Sequence, residues 1–353
     1  MESVLKRDTS FDSIKYVLIA FVVWGHTMHF GHYGFNKVLF SFINSFHMPA
    51  FVIISGYFYK NKESKAFWKD IIELLLVVAL FQILYFSTGW NGPLDFTLSG
   101  ILDRIIKLLY PSRALWYLMS LCFWRIMIKH TPPQLIDNKR VMMLLTLVMS
   151  VVAAFIPINV FSFQRTFFFF PLFVLGFYMS KSDVWKRIRG LNKWVCVSII
   201  FAYIVFIQLV IYKLSFFPDN LLAGRYSRFG HFNWVVTPVL RCLMYLYFLP
   251  LTVCVLSIIP DLPFFHNNGK NTMFYLLYHP FFILALAQIQ KYYEIPTSPI
   301  AIFFYMIANM FIMYWLNKIN ILRFLTRPIS MIRKQESMPS DMMQMINHQQ
   351  RRL

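Results

Sequence analysis

The stretch KYVLIAFVVWGH, residues 15–26, carries a cation at one end and an imidazole at the other end of an otherwise apolar run. Apolar residues dominate the whole chain as well, since 58% of its 353 residues are hydrophobic and only 14% are charged. A soluble domain has about 25% charged residues, so this composition indicates a membrane protein. One membrane helix takes about 20 apolar residues, and the chain length allows roughly ten of them.

The hydropathy pattern predicts an all-α polytopic membrane protein with about ten transmembrane helices. Several of the apolar segments contain Pro or Gly, which membrane helices tolerate where neighbouring helices satisfy the freed backbone groups. We assign residues 1–325 to the membrane domain and residues 326–353 to a polar cytoplasmic tail that we expect to be mobile. The predicted spans are residues 13–31, 38–58, 71–89, 114–129, 141–157, 166–180, 194–212, 235–258, 273–290 and 299–317.

The formal net charge of +19 does not indicate a nucleic-acid partner. Its cations lie in short loops between apolar runs, a distribution typical of membrane topology and of contact with anionic lipids. Loops on one side are richer in Lys and Arg than loops on the other, which predicts that both termini are cytoplasmic. The chain also has no P-loop, nucleophile elbow or metal-ligand spacing, so no metal site is predicted.

Helical geometry places the two ionisable ends of the opening stretch on one face. Eleven steps from Lys15 to His26 return to within about 20° of the same direction and rise about 16 Å. Asp12 falls in the same arc, so the three residues form a stripe that we expect to face the bundle interior. An ionisable residue as deep as His26 marks a functional site by default, although a hydrogen-bonded structural histidine is the alternative.

Two further imidazoles are predicted at a similar depth. His47 lies several residues inside the second span and His279 lies near the middle of the ninth. Each alone is compatible with a buried structural histidine, but their common depth with His26 suggests one cavity. A buried imidazole suits a general base, or briefly a nucleophile, in acyl transfer. A cation on the same stripe suits the binding of an anionic acyl donor.

Several segments resemble acyltransferase family 3, the membrane-bound bacterial O-acyltransferases that modify sugars. Span one resembles the family motif of Arg or Lys, ten residues and His, through Lys15 and His26, and Asp12 matches the acidic residue usually found just upstream. The other matching segments are FHMPAFVIISGYF (46–58), ALWYLMSLCF (114–123), FFPLFVLGFY (169–178) and GKNTMFYLLYHP (269–280). Together the matches cover about residues 7–320.

The resemblance implies a multi-pass enzyme of the bacterial inner membrane. Its co-substrate would be cytosolic acyl-CoA, commonly acetyl-CoA, with no tightly bound cofactor, and its acceptor a cell-surface or lipid-linked glycan. By resemblance, His26 is catalytic and Lys15 assists donor binding. Family members often carry arginines after span two, whereas the loop 59–70 of this chain has lysines only. The resemblance therefore leaves open which of the loop lysines contacts the donor, and the candidates are Lys60, Lys62 and Lys65.

The remaining candidate residues are expected to support donor binding, catalysis or acceptor binding. Asp12 is too far below His26 to orient it, so we expect it to pair with Lys15 or Arg7 and to fix the donor cation. His47 or His279 is expected to orient His26 or to stabilise the tetrahedral oxyanion. The candidates for acceptor binding on the outer side are Arg113, Trp116, Arg165 and Arg225, with an interfacial belt aromatic as the alternative for Trp116.

A transporter or flippase for a lipid-linked sugar is the rival interpretation. It would use the same cavity without an acyl donor. A cation pathway normally needs carboxylates along its length, and the predicted spans carry few, namely Asp12 and Glu73. Proton coupling is therefore disfavoured, and acyl transfer is the preferred hypothesis.

Overall fold

The computed structural model describes residues 8–28, 34–88, 97, 99, 106–156, 158, 160–214, 219–224 and 233–330. Within these ranges the regular secondary structure is helical, and no strand occurs. The long helices are α1 (Ser10–Thr27), α2 (Phe35–Asn44), α3 (His47–Tyr57), α4 (Ser64–Ser87), α5 (Leu115–His130), α7 (Lys139–Ala153), α8 (Phe163–Met179), α10 (Lys193–Leu214), α12 (Asn233–Ile258), α14 (Thr272–Tyr292) and α15 (Pro299–Leu316). The short helices are α6 (Pro133–Asp137), α9 (Val184–Arg189), α11 (Asp219–Leu222), α13 (Pro263–Gly269) and α16 (Asn320–Thr326).

The ten predicted spans each coincide with a described helix, except that the second span is formed by the pair α2 and α3. Seven of these helices or helix pairs are long and apolar enough to cross a membrane. Helices α5 and α7 have only 16 and 15 residues. Helix α1 has 18 residues, but Asp12, Lys15 and His26 lower its hydropathy. The chain is thus an all-helical, multi-pass membrane protein, and the crossing of the three remaining helices stays a prediction.

Helix α1 occupies the centre of the bundle. It packs against α2, α3, α13, α14 and α15, and Ile14, Leu18 and Val23 on it are fully buried. Gly269 at the end of α13 lies so close to α1 that an added methyl group would be 1.8 Å from the Asp12 carbonyl oxygen. The polar residues of α1 therefore lie among protein helices and not in lipid.

Helices α3 and α8 cross at a pair of glycines. A methyl group on Gly56 of α3 would lie 1.9 Å from the Phe173 carbonyl oxygen, and one on Gly176 of α8 would lie 1.9 Å from the Ile53 carbonyl oxygen. Small residues let membrane helices approach backbone to backbone, which strengthens their packing. This crossing fixes the position of α3, the helix that carries His47, relative to α8.

The predicted polar tail falls mostly outside the described residues. Helix α16 ends at Thr326, and Ser330 donates its backbone N–H to the Glu73 carboxylate at 2.8 Å. The start of the tail is therefore tied to the first turns of α4. Residues 331–353, with the rest of the tail, are outside the described ranges, as is Arg7.

Candidate active site

The lower part of the α1 stripe is an ion pair. Lys15 Nζ lies 2.6 Å from a carboxylate oxygen of Asp12, whose side chain is only 2% exposed. Lys15 also lies over the ring of Phe58, 5.7 Å from its centroid. Asp12 therefore holds the Lys15 cation at the end of α3, as the spacing predicted, while any contact of Asp12 with Arg7 falls outside the described residues.

The start of α1 is fixed by a second carboxylate. Ser13 Oγ donates to Asp261 Oδ1 at 2.6 Å, and the Thr9 hydroxyl donates to the other carboxylate oxygen. These hydrogen bonds, from Ser13 first and then Thr9, lower the pKa of Asp261, because they favour its charged form. The loop between α12 and α13 is thereby anchored to α1 below the ion pair.

A cavity of about 120 Å³ opens beside Phe58 at this end of the bundle. Its wall includes Lys60 and Lys62 from the loop after α3, and also Arg125 from α5. Lys129 of α5 holds the loop in place by donating to the Lys62 carbonyl oxygen at 2.7 Å. Two of the three predicted loop lysines therefore line a common cavity next to Lys15.

The third loop lysine does not share that wall. Lys65 is solvent-exposed on the first turn of α4 and is not among the lining residues of the cavity. Lys62 forms an ion pair with Asp70, which also lines the cavity and offsets the Lys62 charge. The three loop lysines, which the sequence could not rank, therefore differ in position: Lys60 and Lys62 line the cavity and Lys65 does not.

The upper part of the stripe is a pair of imidazoles. The ring centroids of His26 on α1 and His279 on α14 are 5.2 Å apart. His26 is half-buried, whereas His279 is fully buried. Two of the three histidines that the sequence places at a common depth, His26 and His279, are thus neighbours in the bundle.

The hydrogen bond of His279 determines which of its nitrogens carries a proton. Its Nδ1 lies 2.9 Å from the carbonyl oxygen of Tyr275, one turn earlier. A carbonyl oxygen only accepts, so Nδ1 donates, and Nε2 of the neutral ring is an acceptor. This Nε2 is buried, and no described residue donates to it. His279 therefore offers a buried, vacant acceptor beside His26.

Asn309 of α15 supports the same turn of α14. The residue is fully buried, and its Nδ2 donates to the His279 carbonyl oxygen at 3.4 Å. That carbonyl lies immediately before Pro280, in the turn where the proline removes a backbone donor. The sequence interpretation missed Asn309, although an amide in the middle of an apolar span is a readable signal.

His47 has a similar local bond in a different setting. Its Nδ1 donates to the Ile43 carbonyl oxygen at 2.6 Å. Ile43 belongs to the last turn of α2 and His47 is the first residue of α3, so this bond bridges the break at Ser45 and Phe46. The side chain thus satisfies a carbonyl at a helix end.

The predicted acceptor residues lie towards the other end of the bundle. The Arg165 guanidinium lies over the Trp116 ring, 4.7 Å from its centroid, and both side chains are buried. Trp116 is thus packed within protein and is not a lipid-facing belt residue. Arg113 lies within electrostatic range of His279 and Tyr85, while Arg225 is outside the described residues.

Arg241 of α12 is a buried cation that the sequence interpretation missed. Only 1% of it is exposed, and one guanidinium nitrogen donates to the Ser150 carbonyl oxygen at 2.9 Å in the last turn of α7. Tyr245, one turn further on, lies 2.6 Å from Ser150 Oγ and donates to the Phe168 carbonyl oxygen of α8 at 2.6 Å. Arg241 therefore caps α7, and together with Tyr245 it connects α12 to α7 and α8. An arginine inside an apolar span is the sequence signal by which this residue could have been found.

The fold and the site together define a helical membrane protein with an imidazole pair at its centre and a cation-lined cavity at one end. The acyltransferase domain of acyltransferase family 3 matches residues 8–318, so the chain belongs to that family of enzymes. The family membership suggested by the five sequence segments is thereby confirmed.

One curated relative is Nodulation protein NolL of Mesorhizobium japonicum. It is 24% identical over 213 residues, which cover 57% of this chain and 56% of that protein. The chain thus spans about half the length of the curated relative it matches. No solved structure matches the chain.

Proposed function

We propose that this chain is a membrane-embedded O-acyltransferase that moves an acyl group from acyl-CoA to a hydroxyl of a cell-surface or lipid-linked glycan. One observation carries the proposal. On α1, the Lys15 cation lies over Phe58 of a positively charged cavity, and further along the helix His26 has a second imidazole beside it. These are the two parts that acyl transfer from an anionic thioester needs, a donor anchor and a base.

The proposed topology has ten crossings of the bacterial inner membrane, with the Lys15 end of the bundle at the cytoplasm. Helices α1, α5 and α7 then cross as short helices. The loop 59–70 and the turns around α9 together carry nine of the described lysines and arginines, and this clustering at one end of the bundle favours this orientation. Cytosolic acyl-CoA then approaches the cavity beside Phe58, and the glycan approaches from the Arg113 end.

The donor would place its phosphates near Lys15 and the loop and its thioester near His26. The two residues are about 16 Å apart along a straight helix, a distance that an extended pantetheine arm spans. Asp12 keeps the Lys15 cation at the foot of this path through their 2.6 Å ion pair. We expect acetyl-CoA to be the donor, as is common in the family.

In the proposed step His26 acts as the general base. It takes the proton of the acceptor hydroxyl while the hydroxyl oxygen bonds to the carbonyl carbon of the thioester. The carbon–sulfur bond of the tetrahedral intermediate then breaks, and the CoA thiolate leaves with the proton that His26 returns. The acyl ester of the glycan and free CoA are the products.

The hydrogen bond of His279 favours one of its two proposed roles. With its proton on Nδ1, the neutral ring accepts at Nε2. It can therefore receive the N–H of His26 and hold His26 in the tautomer whose other nitrogen is basic. A neutral His279 has no Nε2 proton to give to an oxyanion, so we assign it as a positioning residue for His26.

The acceptor is proposed to bind near Arg113, Trp116 and Arg165. Arg113 is solvent-exposed just before α5, so it can meet a ligand that approaches this end of the bundle. In this proposal the Arg165 guanidinium, which lies over the buried Trp116 ring, donates hydrogen bonds to sugar hydroxyls. Arg225 remains a further candidate on the same side.

The test is transfer of labelled acetyl groups in sealed inside-out vesicles that contain the glycan acceptor. Acetyl-CoA labelled in its acetyl group, added outside, should label the glycan when wild-type protein is present. Vesicles with His26→Ala should insert the protein equally well and leave the glycan unlabelled. A wild-type protein that changes the sidedness of the lipid-linked sugar without labelling it would contradict the enzyme and support the flippase.

A further inference from the structure

Arg125 is a half-buried cation of the cavity wall that forms no ion pair with a described residue. The Lys62 charge is paired with Asp70, and Lys60 is solvent-exposed. Arg125 is half-buried in the cavity wall, and within the described ranges neither a carboxylate nor a carbonyl accepts a hydrogen bond from its guanidinium. A planar guanidinium with vacant donors matches phosphate oxygens in a way that a lysine ammonium does not.

Tyr59 supplies a second vacant donor in the same wall. Only 8% of the residue is exposed, and its buried hydroxyl has no hydrogen-bond partner among the described residues. Its ring packs against Phe173 and Phe177, with centroid distances of 6.1 and 5.9 Å. It also lies within electrostatic range of Arg125. A buried hydroxyl without a partner is costly, so a ligand that accepts from it is expected.

We propose that Arg125 and Tyr59 bind a phosphate group of the acyl-CoA donor. This inference rests on the proposed function and deepens it by naming the residues that hold the nucleotide end. Phe58 lines the same cavity and lies under Lys15, with 5.7 Å between Nζ and the ring centroid, so a phosphate at Arg125 leaves the pantetheine arm near the foot of α1. The guanidinium that the loop 59–70 lacks is thus provided by α5.

A phosphate group at this end of the bundle has two sources, a nucleotide and an anionic lipid headgroup. The nucleotide is favoured because aromatic residues, Phe58 and Phe67, line the cavity beside the cations and suit an adenine ring. A lipid would instead compete with the donor for Arg125. Nanodiscs made with and without phosphatidylglycerol in phosphatidylcholine distinguish these sources.

The experiment measures equilibrium binding of tritiated CoA to the purified full chain in phosphatidylcholine nanodiscs. Arg125→Ala should weaken binding about 10- to 100-fold, the usual range for charge-assisted hydrogen bonds. Arg125→Lys should give an intermediate loss because it keeps the charge without the fork. Tyr59→Phe keeps the ring and should weaken binding about three- to tenfold. Arg140→Ala, which removes an exposed arginine outside the cavity wall, is the matched control and should bind normally.

The possible outcomes distinguish failure of the proposed phosphate site from failure of the proposed acyl transfer. If well-folded Arg125→Lys and Tyr59→Phe proteins both bound CoA with the wild-type affinity, the proposed phosphate site would be overturned. The proposed acyl transfer would not be affected by that result. Binding that depends on Arg125 in a protein that transfers no acyl group would support the site and defeat the proposed function. A wild-type chain that binds no CoA would defeat both, and loss of CoA binding on adding phosphatidylglycerol would make a lipid the occupant.

Discussion

His279 and His47 make the same local hydrogen bond and yet occupy different environments. In each, Nδ1 donates to the carbonyl oxygen four residues earlier. The bond of His279 lies inside the continuous helix α14, and its ring is next to His26. The bond of His47 instead spans the break between α2 and α3. One histidine therefore has a neighbour to act upon, and the other joins two helix segments.

The difference shows that depth in the membrane does not define a catalytic group. Both residues are deep and buried, and both precede a proline by one or two positions. What separates them is that the His279 ring lies beside His26, whereas the hydrogen bond of His47 spans a helix break. We therefore interpret His279 as a positioning residue and His47 as a structural one, and the following substitutions test this division.

The largest effect is expected for His279→Asn. The asparagine amide can still donate from the Nδ1 position to Tyr275, but the acceptor at Nε2 is lost. We expect kcat for acetyl transfer to fall about 100-fold, because His26 loses its orienting partner. The KM for acetyl-CoA should stay near its wild-type value, since the donor site is at the other end of α1. A fall in kcat accompanied by a fall in the melting temperature of the variant would instead indicate a merely structural His279.

An intermediate effect, on stability, is expected for Gly56→Ala on the helix of His47. The added methyl group would lie 1.9 Å from the Phe173 carbonyl oxygen, so α3 and α8 must separate. We expect the apparent melting temperature in detergent to fall by about 2–12 °C, as for an overpacked core.

Gly190→Ala is the control for this substitution. Its methyl group would be 3.4 Å from the nearest backbone atom, the Lys186 carbonyl oxygen, which is an ordinary contact. The melting temperature should therefore stay unchanged in this variant. If both alanine variants were equally stable, the close crossing of α3 and α8 would be contradicted.

The smallest effect is expected for His47→Asn, the counterpart of the first substitution. Its amide can keep the bond to the Ile43 carbonyl oxygen across the helix break. We expect kcat to stay within about threefold of wild type, because the retained bond is the contribution we assign to this residue. A loss of kcat as large as that of His279→Asn would erase the distinction between the two histidines.

Much of this architecture could be predicted from the sequence. The apolar runs located every long helix, and the 100° rotation per residue placed Lys15 and His26 on one face of α1. The positions of His26 and His279 within their predicted spans also indicated that the two residues lie at a similar depth in the membrane. These predictions succeed because they depend on position along a helix, which the sequence contains.

Other features depend on how helices are rotated and packed, and the sequence does not contain this. Depth alone could not tell His279 from His47, because the azimuth of each helix is set by its neighbours. Arg125 lies on α5 and reaches the loop after α3 only through tertiary packing. The break between α2 and α3 was likewise missed, because its residues are as apolar as a continuous span.

The central claim is that His26 is the base for acyl transfer within a donor-binding chain. Its most direct test compares wild-type protein and His26→Ala in one preparation, measuring CoA binding and a single turnover of labelled acetyl-CoA with glycan acceptor. We expect the His26→Ala protein to bind CoA as the wild type does and to transfer acetyl groups at least about 100-fold more slowly. Transfer at the wild-type rate by the His26→Ala protein would contradict it.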